Sequence, residues 1–322
     1  MEPSDSVTRR GFARTALVGL SALLVDSRTV FSAWEPAKRR SPLSSLGGDG
    51  ATMIAPCVPT EPMEIGPYHR DGAPWRTALC DPTEPGRKLQ VEGQVLAADG
   101  CRPLSDVLID VWQADAAGHY DFQDKPLTST PLGYRMRAQL LSDAQGRFAF
   151  SSVIPGNYGS KPTEQRAKHV HYLVQRTGYE PLITQMYFSG DPWNARDPLV
   201  RQSLIRPIMD VSRTQARVGF DIVLSRERPV DRATLRTMGE FIGDYTSPAM
   251  HGDTIRVEWR NGQLVAVFGK SDIAQLRPDS ATRMFAREWA ARLTFIRDEH
   301  GKVAELLGEL DDGRKSRLKK VR

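Results

Sequence analysis

The 322-residue sequence predicts a mainly β protein, a β-sandwich followed by a second, smaller β unit. Three observations carry that expectation. Short runs of β-forming residues recur from Leu89 onward, with Gly, Pro and Asp turn signals between them. No long amphipathic helical pattern interrupts these runs, which favours a sandwich. Toward the C-terminus the alternation restarts around Asn261-Gly262, the strongest short hairpin signal. The length itself predicts about two domains. A composition of 40% hydrophobic and 26% charged residues is ordinary for a globular chain. The net charge of +5 lies largely at the two ends, with no cluster of Lys and Arg interleaved with aromatics, and this argues against a nucleic-acid face.

Taken in order, residues 1–33 read as an export signal. Thr8-Arg9-Arg10-Gly11-Phe12 is a twin-arginine pattern, and the apolar run Ala16–Val25 is too short to span a membrane but fits a signal core. This predicts a periplasmic mature protein without stable membrane insertion; an amphipathic or disordered N-terminus is the alternative. Residues 34–60 read as a linker and 61–228 as the sandwich. Within the sandwich, strand runs fall at Leu89–Val95, Val107–Trp112, Arg147–Phe150, His169–Val174 and Gly219–Leu224. Residues 229–240, charged and short-chained, read as a second linker. In 241–313, Ile255, Val257 and Trp259 alternate up to the Asn-Gly turn, Leu264–Phe268 returns, and Leu293–Ile296 precedes a turn at Asp298–Gly301. Residues 314–322 read as a basic, unstructured tail. The cysteines Cys57, Cys80 and Cys101 fit one disulfide plus a free thiol in an oxidising compartment, or three unpaired thiols.

The chemistry concentrates in Ile154–Gln185. His169 and His171 stand one residue apart in a strand run, so both imidazoles point to one face, a compact way to hold a metal with nitrogen ligands. A bare pair of this kind is also what an ordinary strand with hydrogen-bonded histidines would show. Tyr158 sits just upstream in a Pro-Gly-Asn-Tyr-Gly loop, Arg166 precedes the pair, and Tyr120 ends the stretch VWQADAAGHYDF. A phenol, with a pKa of about 10, ionises at neutral pH only beside a strong cation. Two imidazoles with two phenols therefore suit a hard trivalent metal, iron(III) above all.

Six motifs in fixed order extend this reading: GPYHRDG (Gly66–Gly72), VEGQVLAADGCRPL (Val91–Leu104), VWQADAAGHYDF (Val111–Phe122), SDAQGRFAFSSVIPGNYG (Ser142–Gly159), RAKHVHY (Arg166–Tyr172) and ITQMYFSGDP (Ile183–Pro192). Over roughly residues 60–225 the chain resembles the intradiol ring-cleavage dioxygenases. The resemblance implies a β-sandwich, with iron(III) held by Tyr120, Tyr158, His169 and His171. It implies that Tyr158 leaves the metal when substrate arrives, and that Arg166 and Gln185 stabilise the reacting ring. The partners implied are a catechol-type substrate and O2, giving a muconate-type product; a homo-oligomer is compatible with the reading. Exported relatives point to a Cys57–Cys101 pairing.

Tyr68 is expected near the pocket, and Trp112 and Tyr187 in the core. Two departures from the family pattern leave the substrate open: His69 stands where a second tyrosine is frequent, and Lys168 falls in an Arg-Ala-Lys-His stretch usually reading Arg-Pro-Ala-His. Residues 240–310 resemble the small β-barrel domain appended to β-lactamase-like serine hydrolases, through Gly243 and Tyr245, the Asn-Gly hairpin and Phe295–Val303. Competing readings fit less well. A cupin would need an acid near Gln175, and an extradiol site would use a carboxylate such as Glu164 and leave both tyrosines unexplained. The non-enzymatic alternative is an exported sandwich module that keeps the fold without dioxygenase activity.

Overall fold

The computed structural model describes residues 57–121, 134–227, 230–248, 254–269, 272–310 and 314–321, which belong to one compact unit. The segment read as an export signal, and most of the first linker, lie outside the described residues. Two sheets make the sandwich. Its strands are β1 (Lys88–Ala97), β2 (Leu108–Gln113), β3 (Arg137–Leu141), β4 (Arg147–Val153), β5 (Tyr158–Lys161), β6 (Glu164–Arg166), β7 (His169–Gln175), β8 (Leu182–Phe188), β9 (Ile205–Arg206), β10 (Met209–Asp210), β11 (Gln215–Gly219) and β12 (Ile222–Leu224). One sheet runs β3-β2-β7-β8-β9; the other runs β10-β11-β1-β12, with β4 also on β1. β5 and β6 form a separate two-stranded ribbon.

Alternation assigns the faces. On β7, Val170, Tyr172 and Val174 point into the core, where they meet Val91, Phe150, Val218 and Phe220 from the opposite sheet, all fully or almost fully buried. The residues that alternate with them, His169 and His171, therefore point out of the sandwich on the other face of the sheet. Each buried apolar side chain of this size contributes about 1.5–3 kcal/mol, so the core pins the register of β7.

A strap of extended chain binds the sandwich at its edge. The Cys57–Cys101 disulfide, spanning 44 residues, holds the strap's start, and Cys80 is free. Thr60 N–H donates to Val223 O, Met63 N–H to Ile183 O, and Gln185 Nε2 to Glu64 O. The strap thus runs from the disulfide to the rim of the histidine face.

The second unit is a closed barrel of eight strands: β13 (Gly243–Thr246), β14 (Ile255–Arg260), β15 (Gln263–Phe268), β16 (Asp272–Pro278), β17 (Arg283–Ala286), β18 (Ala291–Arg297), β19 (Val303–Leu310) and β20 (Lys315–Lys320). Its core gathers Phe241, Tyr245, Val257, Leu264, Leu293, Phe295, Leu306 and Leu318. Asn261 (φ 48°) and Gly262 (φ 77°) join β14 to β15, the left-handed pair that an Asn-Gly hairpin turn uses.

Two boundaries differ from the sequence reading. The expected tail 314–322 instead supplies β20, which pairs with both β19 and β13 and closes the barrel. Its single buried apolar residue, Leu318, stands among lysines and arginines and left almost no sequence signal. The expected linker 229–240 contains a helix, α1 (Arg232–Gly239), whose first turn is capped by Asp231 accepting from Thr234 N–H. Among the described residues no helix is long and apolar enough to cross a membrane.

The strap yields a stability prediction. Removing the disulfide by Cys57→Ala should lower stability by about 2–4 kcal/mol through the freed loop. Calorimetry of the full chain should show a thermal midpoint several degrees lower, matched by wild type under reductant; an unchanged midpoint would mean that the strap holds without its bridge.

Candidate metal and substrate site

Strand pairing assembles the site around β7. His171 lies opposite Trp112 on β2 and Gln185 on β8, and His169 opposite Tyr187. Directly opposed residues share a face, so these five side chains form one patch. Trp112 stacks on the His171 ring at 4.8 Å, nearly parallel at 6°. Tyr187, buried as expected, packs against His169 at 5.6 Å and so borders the patch as well as the core.

Both imidazoles are buried, 2% and 1% exposed, and their Nε2 atoms are 3.1 Å apart. His169 Nδ1 donates to Ala167 O at 2.5 Å; a carbonyl only accepts, so the Nε2 of His169 carries a lone pair. Burial, reinforced by Arg166, pushes His169 down to about 3, and burial with His169 and Arg166 alongside pushes His171 well below the usual histidine value. Both rings are therefore neutral at physiological pH, the form that ligates metals.

The two phenols arrive on loops that touch. Tyr120 and Tyr158 lie edge to face at 5.3 Å, and the Tyr158 hydroxyl is 3.5 Å from His169 Nε2. Gly118, at φ 87°, sets their approach: a Cβ there would lie 2.2 Å from Asn157 O, next to Tyr158. Asp121 fixes the chain after Tyr120, since its buried carboxylate accepts from Arg137 Nη2 at 2.7 Å and Nε at 3.0 Å. Tyr68 from the strap stacks on Tyr120 at 4.2 Å. Burial raises the Tyr120 phenol well above its ordinary value and also raises that of Tyr158, where Arg166 opposes the effect. Left alone, both phenols stay protonated; only a cation among them reverses this.

Across the β5–β6 ribbon Tyr158 pairs with Arg166. The Arg166 guanidinium donates through Nε to Asp197 at 2.8 Å and through Nη2 to Gln185 Oε1 at 3.0 Å. Burial by itself would lower its pKa, but Tyr158, Tyr187 and Asp197 hold it above the usual arginine range. Gln185 also accepts from the Tyr187 hydroxyl at 2.7 Å. The structure thus gathers all six residues expected at the site: Tyr120, Tyr158, Arg166, His169, His171 and Gln185. His69, the departure noted in the sequence, packs edge-on against Trp112 at 4.7 Å, with Nε2 3.6 Å from Asp110.

Sequence reasoning missed the loop that supports them. Asp191 accepts from Lys168 N–H, Asn157 Nδ2 and Trp193 N–H, while Asp197 accepts from Arg166 Nε, Ala167 N–H and Leu199 N–H. Two buried carboxylates in one loop therefore clamp the start of β7 and the Tyr158 loop together. The repeated Asp-Pro in DPWNARDP was the available signal, since Asp before Pro favours side-chain-stabilised turns.

Among the described residues no group of three or more His, Cys, Asp or Glu gathers around a metal-sized space. The set here has two histidines, and its remaining donors are phenols. Imidazole-to-metal bonds of about 2.0–2.1 Å at a right angle place two nitrogens about 2.9 Å apart, close to the observed spacing of 3.1 Å. The donor set fits a metal.

The fold and site define a β-sandwich protein with a buried donor set of two imidazoles and two phenols. Residues 65–226, half of the chain, match the family described as Dioxygenase, and the chain belongs to this intradiol dioxygenase family. It is 34% identical over 167 residues to catechol 1,2-dioxygenase 2 of Acinetobacter lwoffii, the match covering 44% of this chain and 59% of that protein. It is 35% identical over 178 residues to the protocatechuate 3,4-dioxygenase beta chain of Burkholderia cepacia, covering 50% and 73%. The chain thus spans less than two thirds of the length of the first of these relatives. A solved structure, the dioxygenase domain of a dioxygenase and carbohydrate-binding protein fusion from Streptomyces sp. SirexAA-E, is 33% identical, with 53% of this chain and 100% of that one covered at a TM-score of 0.46. The family match ends ahead of the barrel.

Gly118→Ala should cost about 1–3 kcal/mol, because it adds a side chain where φ is positive and backbone already fills the space. Denaturant unfolding checks the loss, and an undiminished midpoint would show that the Tyr120 and Tyr158 loops are free to separate.

Proposed function

We propose that this protein is an intradiol dioxygenase that opens a catechol-type ring between its two hydroxyl-bearing carbons, adding both atoms of O2 to give a muconate-type product. The observation that carries this is the pair of buried, neutral imidazole nitrogens 3.1 Å apart with two phenols beside them. Tyr120, Tyr158, His169 and His171 would hold iron(III). Bound there, ferric iron would act as a Lewis acid that stabilises both phenolates and polarises a chelated catecholate toward O2.

The chain's own groups have distinct tasks. Tyr158 is less buried than Tyr120 and sits opposite charged Arg166, so the phenolate oxygen it would present with iron bound is the one suited to take a proton from an incoming catechol hydroxyl. Arg166 presents a permanent positive charge where the ring gains ketone-like character, and Gln185 Oε1 orients that guanidinium. Tyr68 and Trp112 cover the donor set and exclude water. The names of the relatives, acting on catechol and on protocatechuate, support this substrate class. The twin-arginine pattern at Thr8–Phe12 supports a periplasmic location, and the Asn-Gly hairpin supports kinship of the barrel with the accessory domain of β-lactamase-like hydrolases.

Purified protein loaded with iron(III) should be coloured, because phenolate bound to ferric iron absorbs visible light. Anaerobic catechol should shift the band, and oxygen uptake should follow. A protein that stays colourless after reconstitution would sink the ligand assignment. Tyr158→Phe should lower bound iron, or its retention on dialysis, by at least about tenfold, measured by metal analysis; unchanged iron would favour a non-enzymatic sandwich. Asp197→Asn should keep the iron and its colour but lower kcat by about tenfold or more through a misplaced Arg166. Full activity in that variant would show that Arg166 needs no such anchor.

A further inference from the structure

The strap is tied down on both sides of Glu64. Met63 N–H donates to Ile183 O on β8 at 2.8 Å, and Ile65 N–H donates to Glu288 O in the barrel at 3.1 Å. Immediately afterwards Gly66 (φ 73°) passes so close to His171 that a Cβ there would lie 3.2 Å from its Cε1. Tyr68 then stacks on Tyr120. Glu64 itself stands one residue ahead of the family-matched region. Its side chain is 33% exposed and lines a small cavity that the barrel completes with Trp289, Ala290, Leu310 and Arg314.

Each nitrogen of the Arg166 guanidinium meets a different segment of the chain. Nε donates to Asp197 at 2.8 Å, and Nη2 donates to Gln185 Oε1 at 3.0 Å. Nη1 forms an ion pair with Glu64 Oε1 at 3.6 Å. Gln185 Nε2 in turn donates to Glu64 O at 3.2 Å, so Arg166, Gln185 and Glu64 close a ring of three contacts. A planar guanidinium gripped at all three nitrogens cannot rotate without giving up a partner. Without the Glu64 carboxylate, only the Asp197 and Gln185 contacts would set its plane.

Resting on the catechol reading above, we propose that Glu64 is a positioning residue that fixes the plane of Arg166, and that the barrel holds Glu64 in place. The barrel's part follows from its Arg287–Trp289 turn. There the Glu288 carboxylate accepts from Gln275 N–H on β16 at 2.6 Å and from Arg287 Nε at 2.8 Å. These bonds fix the turn whose carbonyl receives Ile65, the residue next to Glu64. Arg166 acts where the ring gains ketone-like character, so a tilt of its plane weakens the transition state more than substrate binding.

Metal-free, full-length protein carrying isotope-labelled arginine tests this without any turnover. The Arg166 Nε–H resonance, identified by its loss in Arg166→Lys, should exchange with solvent about fivefold faster in Glu64→Gln than in wild type. In iron-loaded protein the same variant should lower kcat for catechol about fivefold, with KM and iron content unchanged. Glu288→Ala in the barrel should move exchange and kcat in the same directions by about twofold; Glu288→Gln takes its place should alanine unfold the barrel. Exchange or kcat at the wild-type value in Glu64→Gln would overturn the proposal. The same result in the Glu288 variant would overturn the part given to the barrel. A failure of the ring-cleavage reading shows up separately, as no visible band and no oxygen uptake with any catechol, and it would leave the exchange measurement standing.

Discussion

Two neutral imidazole nitrogens held 3.1 Å apart in a buried site are the constraint on which the rest depends. Neither ring can easily charge there, because burial and Arg166 both oppose a second positive charge. Nor can either side chain swing away, since Ala167 O ties one ring and Trp112 stacks on the other. The pair is rigid because β7 is rigid, and β7 is rigid because its alternate residues form the sandwich core. A shift of β7 by one residue would turn Val170 and Tyr172 outward and bury the histidines in an apolar interior. The hydrophobic core and the donor pair are therefore two faces of one register.

Around this pair the structure spends buried charge freely, always with partners in place. Asp121 with Arg137, Asp197 with Arg166, and Asp191 with three donors each sit where an unpaired ion would be costly. What these pairs supply is position. They bring Tyr120, Arg166 and the Tyr158 loop to the histidines from separate parts of the chain. Geometry of this kind matters more to catalysis than the strength of any single bond.

The barrel changes how the site is bounded. Its closing strand β20 follows directly on Arg314, and a main-chain hydrogen bond joins its Glu288 to the strap. The strap in turn carries Tyr68 onto Tyr120 and Glu64 onto Gln185. The disulfide, the strap, the donor set and the barrel rim are thus joined by successive contacts.

The sequence by itself determined what is local. Alternation in His-Val-His-Tyr-Leu-Val put both imidazoles on one face, because a strand has a period of two whatever surrounds it. Asn261-Gly262 specified its hairpin, because few other residue pairs tolerate two positive φ values. The order of motifs brought Tyr120, Tyr158, Arg166 and Gln185 into the same reading. Tertiary structure alone decided the rest. That Asp197 reaches back to Arg166, that Trp112 lies flat on His171, and that Asp121 grips Arg137 all depend on contacts between distant segments, which no local pattern encodes. The final strand was invisible for the same reason. One leucine among basic residues looks like a tail until a barrel with an open seam between β13 and β19 satisfies its backbone and buries Leu318.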